Sequence, residues 1–308
     1  MSPRLTCSEE VARALAARRP VVALETTVVT HGLPHPDGVH VALELEAEVR
    51  AHGAVPATIG VIAGELRVGL GSGELERLAT TPGVAKLNLS NFAAVLAAGE
   101  SGSTTVAATM LAANRAGIAV FATGGIGGVH RGAAQSGDVS ADLTALARLP
   151  VAVVCAGAKA ILDLPRTVEM LETLGVPVYG WQTDEFPAFY ARSSGLPVDR
   201  GFGDVAALAT AVREHFALGG GTGVLVANPI PAADELPAGH SERALEQALA
   251  AAAAAGVRGR AVTPFLLERM RAGTDGASVR ANRALLLHNA RVAAALAAAL
   301  ARPDGPRE

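Results

Sequence analysis

Short apolar, β-branched runs alternate with stretches of helical periodicity along most of this chain, and that alternation restricts it to one class of fold. PVVALETT (20–27), VPATIGVIA (55–63), ELRVGL (65–70), GVAKLNL (83–89), IAVFAT (118–123), VAVVC (151–155), VPVYGW (176–181) and GVLVAN (223–228) read as strands. Several are apolar throughout, as strands covered on both faces must be. Between them, residues 38–52 set Val41, Leu45 and Val49 on one helical face and stop at Gly53. Helices are also expected over 103–116, capped by Ser103 or Thr104, over 140–148 from Ser140, and over 204–218 from Asp204. Thr263-Pro264 reads as a cap followed by proline at the first helical position. Residues 240–256 and 263–302 carry no strand pattern and form a terminal helical layer, with 303–308 as a frayed end. The expected fold class is α/β: a three-layer α/β/α sandwich on a largely parallel mixed sheet, with a C-terminal helical layer and a single domain over 1–308.

Composition narrows the function. The net charge is −3 and no basic run exists, which argues against a surface for nucleic-acid polymers but leaves a nucleotide ligand open. Cys7 and Cys155 form neither a disulfide framework nor a zinc spacing, so a reducing, cytoplasmic setting is expected. Glu9, Glu10, Arg13, Arg18 and Arg19 fall within the first helical pattern, unlike a secretory signal. The alanine-rich stretch 249–256 and the stretch 290–301, broken by Arg291, each fall short of the roughly 20 apolar residues that span a bilayer.

Ligands of open parallel sheets bind beyond the carboxyl ends of the strands. Four such ends carry unusual polar residues: Glu25-Thr26-Thr27, Thr123-Gly124-Gly125, Lys159 and Gln182-Thr183-Asp184-Glu185. Among 26 lysines and arginines, only Lys86 and Lys159 are lysines. Lys159 follows a buried strand, where an apolar wall disfavours the ammonium and frees an amine that can attack a sugar aldehyde. Arginine cannot do this. The plainer reading of Lys159 is a side chain that snorkels at a strand end. Lys86 lies within a strand and points either into a cleft, where it binds an anion, or to solvent. Glu25 ends an apolar strand and either shuttles a proton from a partly desolvated position or caps the next turn.

Loops supply further candidates. His31 and His35 sit in a segment that Pro34 and Pro36 keep from being an α-helix, so they read as loop histidines rather than metal ligands. TGGIGGVHRG (123–132) offers backbone amides to a phosphate, with His130 and Arg131 adding charge. GSTTVAATM (102–110) offers a helix N-terminus for the same purpose, although both stretches also read as tight turns. In SGDVSADL (136–143), Asp138 and Asp142 either complement a helix dipole or hold a hard cation such as Mg²⁺ or Mn²⁺ with water and substrate oxygens.

Taken together, LETTVVTHGLP, FATGGIGGVHRG, DVSADL, VAVVCAGAKAILDLPRTVEMLET, GVPVYGWQTDEFPAFYARSSG, GVLVANPIP and VTPFLL resemble the pseudouridine-5′-phosphate glycosidases, the indigoidine synthase A-like family. The resemblance runs in order from about residue 5 to 300. It implies a cytoplasmic homotrimeric enzyme, grouped with the carbon–oxygen lyases, that reversibly cleaves pseudouridine 5′-phosphate to uracil and ribose 5-phosphate with one divalent cation per subunit, usually Mn²⁺. It implies that Lys159 forms a Schiff base with C1 of the opened ribose and that Glu25 donates a proton. Lys86, Val106, Ser140, Ala141 and Asp142 match substrate contacts, and Asp138 matches the metal ligand. His130 and Asn282 fall at further active-site positions.

The chemistry is consistent with these residue types. A uracil carbon is a poor leaving group, whereas an iminium at C1 is an electron sink beside the bond to be broken. Protonation of the uracil carbon then lets the bond part. Three departures stand out. Leu87-Asn88-Leu89-Ser90-Asn91 replaces a charged run after Lys86, His35 replaces an aromatic residue, and 133–137 lacks the usual polar-aromatic pattern. They motivate two alternatives: the same amine chemistry on another sugar phosphate or C-nucleotide, and a non-catalytic sugar-phosphate binder.

Overall fold

The apolar runs pair into one mixed sheet. A computed structural model describes residues 5–33, 35–237, 239–257, 262–274 and 276–302, so the expected frayed end at 303–308 lies outside the described residues. The strands are β1 (Leu5–Cys7), β2 (Val21–Leu24), β3 (Val55–Ile62), β4 (Glu65–Val68), β5 (Ala85–Leu87), β6 (Gly102–Thr104), β7 (Val120–Ala122), β8 (Ala152–Cys155), β9 (Val178–Trp181), β10 (Arg200–Phe202) and β11 (Val224–Ala227). The helices up to the middle of the chain are α1 (Glu9–Ala16), α2 (Asp37–Ala51), α3 (Ser72–Thr80), α4 (Phe92–Ala97), α5 (Val106–Ala116), α6 (Ala133–Ser136) and α7 (Ala141–Leu146). They are followed by α8 (Leu164–Thr173), α9 (Val205–Ala217), α10 (His240–Ala254), α11 (Val262–Gly273) and α12 (Ala277–Ala301).

The sheet order is β1-β4-β3-β2-β7-β8-β11-β9-β10, with β6 joining β3 to β5. Every pair from β3 through β10 is parallel, while β4 and β6 run antiparallel to β3. Helices cover both faces. α5 and α7 pack together, with α5 against β2, β3 and β7, and α12 packs with α2 and α9 against β2, β7 and β8. The fold is the expected three-layer α/β sandwich. Its central strands β2, β7, β8 and β11 are buried at every position, which is why they read as unbroken apolar runs.

Three local expectations change. Residues 102–104 form β6, paired with β3 and β5, and α5 starts only at Val106 behind the cap Thr105. The pairing on both sides overrides the capping potential of Ser103 and Thr104. α11 is already helical at Val262, so Thr263 is not its cap. The C-terminal apolar stretch belongs to α12, a 25-residue helix long and apolar enough by composition to cross a membrane. Here it is a core helix. Leu285, Asn289, Ala293 and Leu296 are buried, and Arg283 and Arg291 bind Glu44 and Glu48 of α2 at 2.6 and 2.8 Å.

Candidate active site

Parallel pairing brings three chemically active strand ends level with one another. The register sets Leu24 beside Ala122 and Ala122 beside Val154, so Glu25, Thr123 and Cys155 leave the sheet side by side. The chain then turns at Gly157 (φ +77°), and the Lys159 amide donates to the Ile126 carbonyl at 3.0 Å. Lys86 arrives from β5, which pairs through β6 with β3. Its side chain faces the cleft, which decides between the two orientations the sequence left open.

The cleft has two lobes. The inner lobe, about 600 Å³, is bounded by Val28, His31, the Thr123-Gly124-Gly125 loop, Phe189, Asn282 and Leu286. The outer lobe, about 1100 Å³, is bounded by Asn88, Ser90, Asn91, Val106, His130, Asp138, Ser140, Ala141 and Asp142. Glu25, Thr27, Lys86 and Lys159 line both lobes and form the waist between them. Glu25, Lys86, Val106, His130, Asp138, Ser140, Ala141, Asp142, Lys159 and Asn282 therefore border one connected cleft, whereas Arg131 and the strand end Gln182-Thr183-Asp184-Glu185, also singled out in the sequence, line neither lobe.

At the waist, Glu25 accepts hydrogen bonds on both carboxylate oxygens, one from the Thr27 hydroxyl and one from Thr123. Behind it, the Thr26 hydroxyl donates to the Ile59 carbonyl at 2.8 Å and accepts from the Thr104 amide at 2.9 Å, which pins the end of β2 to β3 and β6. Lys86 is pulled below the ordinary lysine range, first by burial and then by the charge of Lys159; Glu25 and Asp142 oppose that shift. Cys155, next to the waist, is fully buried, and burial lifts its thiol to about 12, so it is no nucleophile.

Two helix N-termini border the outer lobe. In the first turn of α5, the Ala107 amide binds Asp142 at 2.9 Å and the Ala108 amide binds Thr105 at 3.4 Å. Among the described residues the Val106 amide has no such partner, and the same holds for Ala141 at the start of α7. Both residues line the lobe, as do Ser140 and Lys86. Asp142 has another role as well. Its second oxygen accepts from the Gly127 amide at 2.7 Å, so this carboxylate braces the glycine loop against α5. A side chain at Gly127 would collide with the Ser140 hydroxyl.

Asp138 borders the outer lobe, and among the described residues no side chain donates to its carboxylate. Those residues contain no cluster of three His, Cys, Asp or Glu side chains able to chelate a metal. The donor set therefore fits a hard cation held by one carboxylate and completed by water and ligand oxygens, and it does not fit a zinc-type cage.

The family model for indigoidine synthase A like protein matches residues 10–299. The chain belongs to the indigoidine synthase A-like family. A Methylobacterium nodulans protein named pseudouridine-5′-phosphate glycosidase is 56% identical over 99% of this chain and 91% of its own. One of the same name from Paracoccus denitrificans is 54% identical over 98% and 100%. Among solved structures, the prealnumycin C-glycosynthase AlnA in complex with ribulose 5-phosphate superposes with a TM-score of 0.90, at 42% identity and 98% coverage of both chains. An indigoidine synthase A-like protein from Thermotoga maritima gives 0.88 at 35% identity, covering 97% of both.

The 87–91 segment that follows Lys86 lies at the cleft. Leu87 is buried, while Asn88, Ser90 and Asn91 line the outer lobe. Asn91 donates to the Lys86 carbonyl at 3.1 Å and accepts from the Asn88 amide at 2.7 Å, so the segment folds back on the lysine it follows. His35 lies away from the cleft and binds Glu76 at 2.7 Å on the surface. At the inner lobe, Phe189 escaped the sequence reading, and His31 was read there only as a loop histidine. Phe189 has φ +64° and packs so closely on Gly125 that an added Cβ would lie 2.6 Å from its ring. His31 enters the lobe from a π-helical turn, Val28–Gly32, which ends before the prolines that forbid an α-helix. A single π turn has no periodicity by which a sequence could announce it.

Proposed function

We propose that this chain catalyses the reversible cleavage of pseudouridine 5′-phosphate to uracil and ribose 5-phosphate. The observation that carries the reading is the waist, where both lysines of the chain and one doubly hydrogen-bonded carboxylate stand between a polar outer lobe and a more apolar inner one. The names of the relatives at 54–56% identity support it.

In this scheme the 5′-phosphate sits in the outer lobe, against Lys86, the Val106 and Ala141 amides and Ser140. The heterocycle sits in the inner lobe beside Asn282. Lys159 attacks C1, the bond from C1 to the ring oxygen breaks, and a proton of the attacking amine passes to that oxygen, so C1 carries a secondary amine and the opened sugar a hydroxyl. Glu25 delivers a proton to the uracil carbon. The C1–carbon bond then breaks, and its electron pair restores the ring double bond while the amine lone pair forms the iminium. Water releases ribose 5-phosphate and returns the free amine. His130 lines the outer lobe beside the phosphate. A divalent cation, Mn²⁺ or Mg²⁺, would be held by Asp138, and when bound it supplies positive charge for substrate oxygens. We further propose a cytoplasmic homotrimer; sedimentation at micromolar concentration should give a single species of three chains.

The alternative reading is the same amine chemistry on another sugar phosphate or C-nucleotide, the lyase or aldolase case. It is favoured by one observation, the placement of Asn88, Ser90 and Asn91 on the outer lobe, and by the ribulose 5-phosphate bound to the C-glycosynthase. A non-catalytic binder would have no use for a carboxylate held between two hydroxyls beside two lysines. The deciding assay measures uracil released from pseudouridine 5′-phosphate with and without Mn²⁺. Release that is stimulated by the metal and abolished by Lys159→Ala is expected. Release absent here but present with another C-nucleotide would move the assignment to the alternative.

A further inference from the structure

His31 is the one inner-lobe side chain whose chemistry the scheme above leaves unused. It borders both the inner lobe and an adjoining cavity formed with Tyr190, Arg271 and Ser278. Its Nδ1 edge is turned into the protein, 2.5 Å from the Thr30 hydroxyl and 3.2 Å from Ser103 Oγ. Thr30 donates to Ser103 at 2.7 Å. Ser103 is fully buried, and among the described residues its own proton has no acceptor except His31 Nδ1. A proton on Nδ1 would leave that hydroxyl unsatisfied in a dry position, which costs about 1–3 kcal/mol. With Nδ1 as acceptor the Ser103 hydroxyl is satisfied, and the ring proton then sits on Nε2. Among the described residues Nε2 has no acceptor, so a neutral N–H donor is left unspent beside the inner lobe.

We propose that His31 is a specificity-determining residue that donates from Nε2 to a carbonyl oxygen of the pyrimidine. This inference rests on the glycosidase reading. It assigns the recognition of the heterocycle to two side chains, Asn282 and His31, and the recognition of the sugar phosphate to the outer lobe. Burial and the charge of Lys86 both keep the ring below the ordinary histidine range, in agreement with a neutral donor. A rigid donor suits discrimination, because a site built around a hydrogen bond rejects ligands that lack the matching acceptor.

The test runs the reaction in the synthetic direction, from uracil and ribose 5-phosphate, with the full chain. Wild type, His31→Gln, His31→Asn and His31→Ala are compared. Glutamine places an N–H donor near the Nε2 position and asparagine near Nδ1. The KM for uracil should rise roughly tenfold or more in His31→Ala and His31→Asn, with His31→Gln closer to wild type. Borohydride trapping of ribose 5-phosphate on Lys159 needs no base and should be unchanged in all four. In wild type, replacing the contacted oxygen by sulfur should raise KM, and that penalty should vanish in His31→Ala. 2-Thiouracil and 4-thiouracil distinguish the two carbonyls. An unchanged uracil KM in His31→Ala, or trapping that falls in step with uracil affinity, would overturn the role of His31. Wild type that fails to join uracil to ribose 5-phosphate while still trapping the sugar would overturn the pyrimidine reading itself.

Discussion

Lys86 shows how function opposes stability at a single residue. It is held below the ordinary lysine range because burial and the neighbouring Lys159 disfavour its charge. Between its folded pKa and the ordinary lysine value of 10.5 the unfolded chain binds more protons, so stability rises with pH through that window. Below the window the penalty is fully present. Lys86→Met should therefore be more stable than wild type at neutral pH, and the gap should narrow as pH approaches 10.5. Its affinity for ribose 5-phosphate should fall by more than tenfold. Denaturant titrations of both proteins at several pH values check the sign; a variant less stable at neutral pH would contradict it. Rarity made Lys86 and Lys159 visible in the sequence, because arginine does nearly all the other cationic work. Nothing comparable marked His31, whose role depends on Thr30 and on Ser103 from a distant strand.

At the scale of elements, the site depends on how α5, α7 and the glycine loop are held together. Asp142 does this by accepting from the Ala107 and Gly127 amides in a buried position. The sequence placed Asp142 correctly in the first turn of α7, but its partners lie on two other segments and so could not be read from local pattern. Asp142→Asn turns one acceptor into a donor facing a backbone N–H. It should cost about 1–3 kcal/mol of stability and loosen the lobe that holds the phosphate. Thermal melting and the KM for ribose 5-phosphate measure the two effects. An unchanged melting temperature would mean that Asp142 does not brace the loop. The same limit explains β6: Ser103 and Thr104 have the chemistry of helix caps, yet pairing with β3 and β5 claims them for the sheet.

At the scale of the molecule, the alternation of apolar runs and helical stretches carried the architecture, because strands buried on both faces write their burial into the sequence. The edge strands β1 and β10, three residues each, were too short to do so. The sheet order itself is what makes the site. β2, β7 and β8 are neighbours, and only that adjacency places Glu25, Thr123 and Lys159 at one mouth although they lie far apart in the chain. The central claim is that this mouth presents an amine to a sugar aldehyde. With only two lysines in the chain, borohydride reduction in the presence of ribose 5-phosphate, followed by peptide mass analysis, tests it directly. The account predicts one irreversible sugar-phosphate adduct, on the peptide that contains Lys159. An adduct on Lys86 instead, or no adduct on either lysine, would contradict it.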